Sequence, residues 1–346
     1  MATHTQATEP TPADTPPPEV PTSRWEALRA RLSHAMRPWH AANRMARGFV
    51  VSGAIITLAF LAMALFADQL APYGEDQYQI QIGVDEDGEP EYGDEQIARR
   101  EPPSAAYPFG TTSARFDVLS RVIHGARIAF GVIVLSTVVA MGIGVPLGLL
   151  SGYHGGRMDR VLVFLMDAVY AFPPLILAII FAFVLQQYMS PGVPTAAIAV
   201  GATYIPQYFR VIRNHTLAVK EETFVEAARS LGASPTTVIT RYVFYNVIQS
   251  VPVIFTLNAA DGVLTLAALG FLGFGIDYPS AEWGLDVSRA ISDVVSGFWW
   301  TAFFPGMAIT LLVVGLTLVG EGLNDIVNPL LRTQAFEGSV DKMDPA

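Results

Sequence analysis

Residues 222–235 read Glu222-Thr223-Phe224-Val225-Glu226-Ala227-Ala228-Arg229-Ser230-Leu231-Gly232-Ala233-Ser234-Pro235. Thr223 suits a helix N-cap, and Glu226 three residues on would complete a capping box. Phe224, Ala227, Ala228 and Leu231 then share one face. Gly232 suits a left-handed stop, and Ser234-Pro235 suits an N-cap with proline at the first position of a new helix. The spacing predicts a short, well-capped helix with a small apolar face. Such a helix is too short to be stable alone, and that face invites a partner's groove.

The flanking sequence decides what carries this helix. Long apolar blocks lie on either side, with the charges between them, and the mean hydropathy is positive. A 346-residue chain that is 51% hydrophobic and only 15% charged reads as membrane-embedded. Spans are expected at about Phe49–Leu70, Ile128–Leu150, Val161–Leu185, Thr195–Phe209, Val247–Phe271 and Trp299–Val319. Pro173-Pro174 breaks the third, so that span should face protein. The fold expected is an all-α integral membrane protein with six transmembrane helices.

Around the spans, the expected divisions are a disordered tail at 1–23, a basic amphipathic helix at 24–47 and a first transmembrane helix at 48–70. An extracytoplasmic loop with a short amphipathic helix (Asp117–Gly125) follows at 71–127. The transmembrane core at 128–331 contains a cytosolic loop at 210–235, and a tail closes the chain at 332–346. Arg157, Arg160, Arg210, Arg213, Lys220, Arg229 and Arg241 fall on one side with the Arg-rich N-terminal arm. By the positive-inside rule both termini are cytosolic. Arg99, Arg100, Arg115, Arg121 and Arg127 fall outside, in a long loop where the rule has less force. The net charge of −10 and the near-absence of lysine fit either a high-salt habitat or a GC-rich genome.

Glu226-Ala227-Ala228, then three residues, then Gly232, resembles the EAA loop of binding-protein-dependent ABC importer permeases. The resemblance implies that this helix docks in a cleft of an ATPase subunit, with Phe224, Glu226, Ala227, Ala228 and Gly232 as contacts. Glu226 could equally serve the capping box, and both roles are compatible. Further motifs resemble the peptide/nickel subgroup and its C-type permease: Leu70-Ala71-Pro72-Tyr73, Pro108-Phe109-Gly110-Thr111-Thr112, Asp117-Val118-Leu119-Ser120-Arg121, Ala171-Phe172-Pro173-Pro174, Phe271-Leu272-Gly273 and Glu282-Trp283-Gly284. The chain departs from the pattern at Val243-Phe244-Tyr245, which lacks the proline, at Leu266, where an acid is common, and in the acidic insertion 85–95.

The resemblance implies the type I importer permease (MetI-like) fold in the cell membrane. Its implied partners are a homologous second permease, two ATPase subunits, an extracytoplasmic substrate-binding protein and lipid, with no nucleic acid. Di- and oligopeptides are the implied substrates, with nickel chelates or oligosaccharides as alternatives. No cofactor is expected in this chain, since ATP and magnesium would sit in the partner subunits. No Gly-x-x-x-x-Gly-Lys-Ser/Thr loop occurs, so the sequence offers no P-loop. There is no cysteine, which excludes thiolate catalysis and thiolate-bound metal.

Asp167, Asn258 and Asp261 interrupt apolar runs. They either line a pathway or fix helix packing through hydrogen bonds. Gly142, Gly144 and Gly148 are expected to permit close helix approach. Trp283, Trp299 and Trp300 are expected at the outer interface, with Glu282 and Trp283 a possible contact for the binding protein. A secondary transporter would need paired broken helices in an inverted repeat, and a scaffold would need a soluble domain. Neither is visible.

Overall fold

The computed structural model describes residues 43–84 and 90–327, together with Trp39. The expected tails at 1–23 and 332–346, most of the expected basic helix and the acidic run 85–89 lie outside the described residues. The compact unit is Arg44–Asp325.

Helix α1 (Arg44–Leu65) ends at Phe66, and a short α2 (Ala67–Leu70) completes the expected first span. The segment after it is not wholly helical or loop. β1 (Gln79–Val84) and β2 (Pro90–Gln96) form an antiparallel hairpin, pairing Gln79 with Gln96 and Val84 with Pro90. The all-α expectation is corrected here: outside the apolar blocks, two extended segments satisfy each other's backbone groups.

The separate amphipathic helix at Asp117–Gly125 is also corrected. Asp117 caps a single helix, α3 (Val118–His154), accepting the Ser120 N–H at 2.7 Å. Between the cap and Gly155 only Pro146 interrupts the pattern, and it stays inside the helix. One isolated glycine, Gly125, does not stop a helix. The 37 residues of α3 span about 55 Å at helical rise.

Gly155 and Gly156, both at positive φ, turn the chain into α4 (Gly156–Tyr170). Pro173-Pro174 then separates α4 from α5 (Pro174–Leu185), and the two are bent by 94°. The proline pair thus makes an elbow sharper than a kink. Nothing on α4 is buried within the chain, whereas α5 buries Leu177, Ala178 and Ala182, so only the second half of the expected span faces protein within this chain.

Next come α6 (Val193–Val219), α7 (Thr223–Ser230) and a continuous helical stretch. That stretch comprises α8 (Pro235–Thr237), a π-type segment (Val238–Val243), α9 (Phe244–Val247), a 3-10 turn (Ile248–Ser250) and α10 (Val251–Phe271). The widened ladder stands where the family's proline is missing. α11 (Trp283–Arg289), α12 (Ile291–Val295) and α13 (Trp300–Val327) complete the order.

The spine is α3 against α6. A Cβ on Gly144 would meet the Ile205 oxygen at 2.8 Å, on Gly148 the Phe209 oxygen at 2.7 Å, and on Gly152 the Arg213 oxygen at 2.8 Å. Glycine every fourth residue lets the two backbones touch. The partners advance with the glycines, so α3 and α6 run parallel and the α4–α5 pair returns the chain between them. Gly142 has open space around it and takes no part, contrary to expectation. α1 and α13 pack antiparallel, Gly53 against Gly315 and Gly322 against Ala46.

Among the described residues four helices are long and apolar enough to cross a membrane, α1, α3, α10 and α13, or five if the bent α4–α5 pair counts as one span. The more polar α6 is not among them, although it is heavily buried.

Candidate functional site

α7 is the predicted short helix, with two differences in how it is built. Its N-cap is Glu222, and Thr223 stands one position inside with no side-chain cap bond. The capping box therefore does not form: a backbone turn from Val219 to Glu222 already sets the entry. The C-terminal stop forms as expected. Gly232 has φ +83, its N–H bonds to the Arg229 oxygen, and the Ala233 N–H reaches back to the Ala228 oxygen at 3.0 Å. These two bonds are a complete Schellman motif. Ser234 caps α8, accepting the Thr237 N–H.

Val225 and Ala228 point inward, and Val225 joins a core cluster with Val238 and Val243. Ala228 thus holds the helix down rather than offering contact surface. Phe224, Glu226, Ala227, Leu231 and Gly232 remain exposed, Leu231 at 89%. Phe224 and Leu231 thus leave apolar surface uncovered by this chain.

The surrounding anchors place α7 at one end of the bundle. Lys220 Nζ donates to the Gly152 oxygen at 3.0 Å, and the Arg229 guanidinium lies 5.3 Å from the Tyr153 ring centre. Arg213 donates twice to Asp159 (2.6 and 2.8 Å), which also accepts from Ser151. The C-terminus of α3, the start of α4, the end of α6 and α7 are thereby tied together.

The other end of α3 holds a polar cap. Arg121 is 2% exposed and spends all its N–H groups: two on Asp286 Oδ1, and one each on the Glu75, Pro279 and Ser280 oxygens. Glu282 accepts the Gly284 and Leu285 N–H groups at the start of α11, and Trp283 Nε1 donates to the Val122 oxygen. Glu282 and Trp283 are 2% and 3% exposed. That burial overturns their expected contact with a binding protein; they lock α11 onto α3. Trp300 is buried too, so of the three tryptophans expected at an interface only Trp299 is exposed.

Burial pushes the Glu282 carboxyl up to about 7, with Asp286 nearby adding to the rise and Arg121 opposing it. A carboxyl raised on folding binds more protons folded than unfolded between its ordinary value and 7. Its contribution to stability therefore falls as pH rises through that window, on the order of 1 kcal/mol per pH unit. Glu282→Gln should flatten that part of the pH dependence. Thermal unfolding of the detergent-solubilised protein at pH 5 to 8 checks it; parallel wild-type and variant curves would refute it.

The three candidate pathway residues separate. Asn258 is buried beside Ser136, Tyr204 and Tyr208 in a small cavity, a packing position. Asp261 is exposed on another face of α10. Asp167 is exposed on α4 and pairs with Arg210 of α6 at 3.0 Å. Arg210 also stacks over Tyr170, 4.3 Å from the ring centre. The expected fourth span ends at Phe209 with the apolar run; the helix itself, α6, continues to Val219 and carries Arg210. Arg121, expected in a short helix of the outside loop and counted there only as a charge, is the centre of the polar cap; Asp117, four residues earlier, caps the helix that carries it.

Residues 144–333 match the family described as binding-protein-dependent transport system inner membrane component. This chain belongs to that family. The family match takes in the spine glycines, the elbow and α7. The family member is also similar to the glutathione transport system permease protein GsiD of Pectobacterium atrosepticum, 33% identical over 298 residues, covering 86% of this chain and 92% of that one. GsiD of Escherichia coli O157:H7 is 34% identical over 297 residues, covering 85% and 91%. Among solved structures, an inward-facing MetNI methionine ABC transporter chain aligns at TM-score 0.47 and 19% identity, over 60% of this chain and 94% of that one. The chain is thus an inner-membrane permease of an ABC importer of the peptide subgroup, a transport component whose system includes an ATPase and a substrate-binding protein.

Proposed function

We propose that this permease pairs with a homologous second permease to form a pathway for short peptides, glutathione-like tripeptides included, and that α7 is the handle by which an ATPase subunit moves it. The observation that carries the reading is α7 itself. It is fixed from within by Val225 and Ala228, stopped by the Gly232 motif, and presents Phe224, Glu226, Ala227 and Leu231 outward beside the α3–α4 corner. A helix exposed on one side and bound to the bundle on the other can transmit a displacement. ATP and magnesium would be held by the partner subunits. The substrate class follows the printed function of the GsiD relatives.

Six crossings with both termini cytosolic fit this reading. The parallel run of α3 and α6 requires the α4–α5 pair to cross, and α6, shielded by its neighbours, can cross despite its polarity. Alternating access would then be rigid-body rocking of the two permeases, biased only by differential docking of the ATPase in the two states.

Ala227→Arg and Gly232→Val test the handle in the assembled transporter. The first puts a charge on the exposed face; the second forces a β-branched residue into φ +83, a conformation it avoids. Expected is a loss of uptake of about tenfold or more, the equivalent of one good contact, with the permease still in the membrane. Unchanged uptake in both variants would refute coupling through α7.

A further inference from the structure

At the elbow between α4 and α5 a cavity of about 310 Å³ opens against α6, lined among others by Tyr170, Phe172, Pro173, Thr203 and Gln207. Thr203, Gln207, Arg210 and Asn214 recur at spacings of four, three and four, so α6 carries one polar stripe. The opposite side of α6 packs its small residues and tyrosines on α3. Gln207 stands near the middle of α6, which places the cavity near mid-membrane if α6 crosses. Pro173 and Pro174 have no N–H, so the Tyr170 carbonyl loses its helical donor beside this cavity, while the Val169 carbonyl accepts the Phe172 N–H at 3.3 Å instead. Arg210 stacks on Tyr170, which lines the cavity, and pairs directly with Asp167 at 3.0 Å; the Asp167 and Arg210 side chains are about half exposed, 58% and 45%. Irregular backbone and charges at membrane depth are tolerated where they line a water-filled path.

We propose that Asp167 and Arg210 are a substrate-reading pair for zwitterionic short peptides. A peptide at the elbow exchanges partners with them: its carboxylate takes Arg210 and its ammonium takes Asp167. The inference rests on the peptide reading given above. Partner exchange is favoured here because each charge finds an opposite one before and after. Removing either side alone would leave the other charge without its partner. Arg210 can grip a carboxylate with two parallel N–H groups, and its guanidinium is held over the Tyr170 ring, 4.3 Å from the centre. Gln207 supplies a donor and an acceptor for the peptide's amides.

The test is uptake by the reconstituted full transporter, with one binding protein throughout, of a peptide and of its C-terminal amide. Because the binding protein is common to all arms, its own preference cancels. Wild type should favour the free acid, and Arg210→Gln should shrink the acid-to-amide ratio about tenfold, as loss of a charged hydrogen bond would. The exchange variant Asp167→Arg/Arg210→Asp keeps an ion pair and so guards against a mere folding defect. It should insert normally yet lose free-acid preference. An exchange variant with wild-type uptake and wild-type ratio would make the pair structural and overturn the proposal. An unchanged ratio in Arg210→Gln would do the same while leaving the peptide function standing. If wild type takes up no peptide at all, the substrate class itself fails and this inference with it.

Discussion

Replacing Arg121 with methionine should destabilise the protein by about 3–5 kcal/mol, the range for breaking a buried ion pair from one side. The size follows from what the guanidinium leaves behind. Its five N–H groups hold Asp286 and three main-chain oxygens from Glu75, Pro279 and Ser280. Asp286 is 10% exposed, and its carboxyl would be left buried without its hydrogen-bonded partner, with only Arg289 to compensate its charge. Arg121→Lys should recover only part of the loss, because an ammonium cannot reproduce the planar fork. Removing both charges, as in Arg121→Met/Asp286→Leu, should be less destabilising than Arg121→Met alone. Thermal unfolding of the solubilised protein measures all three. If the double variant is worse than the single one by the sum of independent effects, the ion pair is not the source of the cost.

That node also explains which parts of the molecule could be read from sequence. Gly232, Ser234 and Pro235 were legible because their roles are set by their own backbone: a positive φ, a side-chain acceptor and a missing N–H act locally. The break at Pro173-Pro174 was legible for the same reason. Which face of α7 turns inward was not. Val225 is buried by Val238 and Val243, residues of a later helix, and nothing in the α7 periodicity names them. Glu282 and Trp283 looked like exposed loop residues because a buried carboxylate is rare unless its acceptors are satisfied. Here two N–H groups of α11 satisfy it. The join of Asp117–Gly125 to the following span was missed because the composition changes at Ile128 while the helix does not. The end of α6 was placed too early by the same confusion of apolar length with helix length. Charge after Phe209 marks a change of environment, and Arg210 meets it with Asp167 and Tyr170.

Gly148→Leu should cost about 1–3 kcal/mol or more, the usual penalty for inserting bulk into a packed contact, and should abolish transport with it. A Cβ there would stand 2.7 Å from the Phe209 oxygen and 3.0 Å from the Ile212 Cβ. The nearest obstacle is backbone, so no rotamer change relieves it, and α3 and α6 must separate. Separation also draws apart Asp159 and Arg213, whose bonds of 2.6 and 2.8 Å fasten the corner beside α7. A packing defect in the spine is thereby carried to the proposed handle. Gly142 provides the matched control. It lies on the same helix, less than two turns away, with nothing within 4 Å of a Cβ. Gly142→Leu should leave unfolding temperature and uptake near wild type, within the few tenths of a kcal/mol expected of a non-contacting site. The contrast isolates close approach from any general intolerance of leucine in α3, since both substitutions add the same side chain to the same helix. Equal loss in the two variants, measured by thermal unfolding and uptake side by side, would show that glycine is needed in α3 for a reason other than contact with α6.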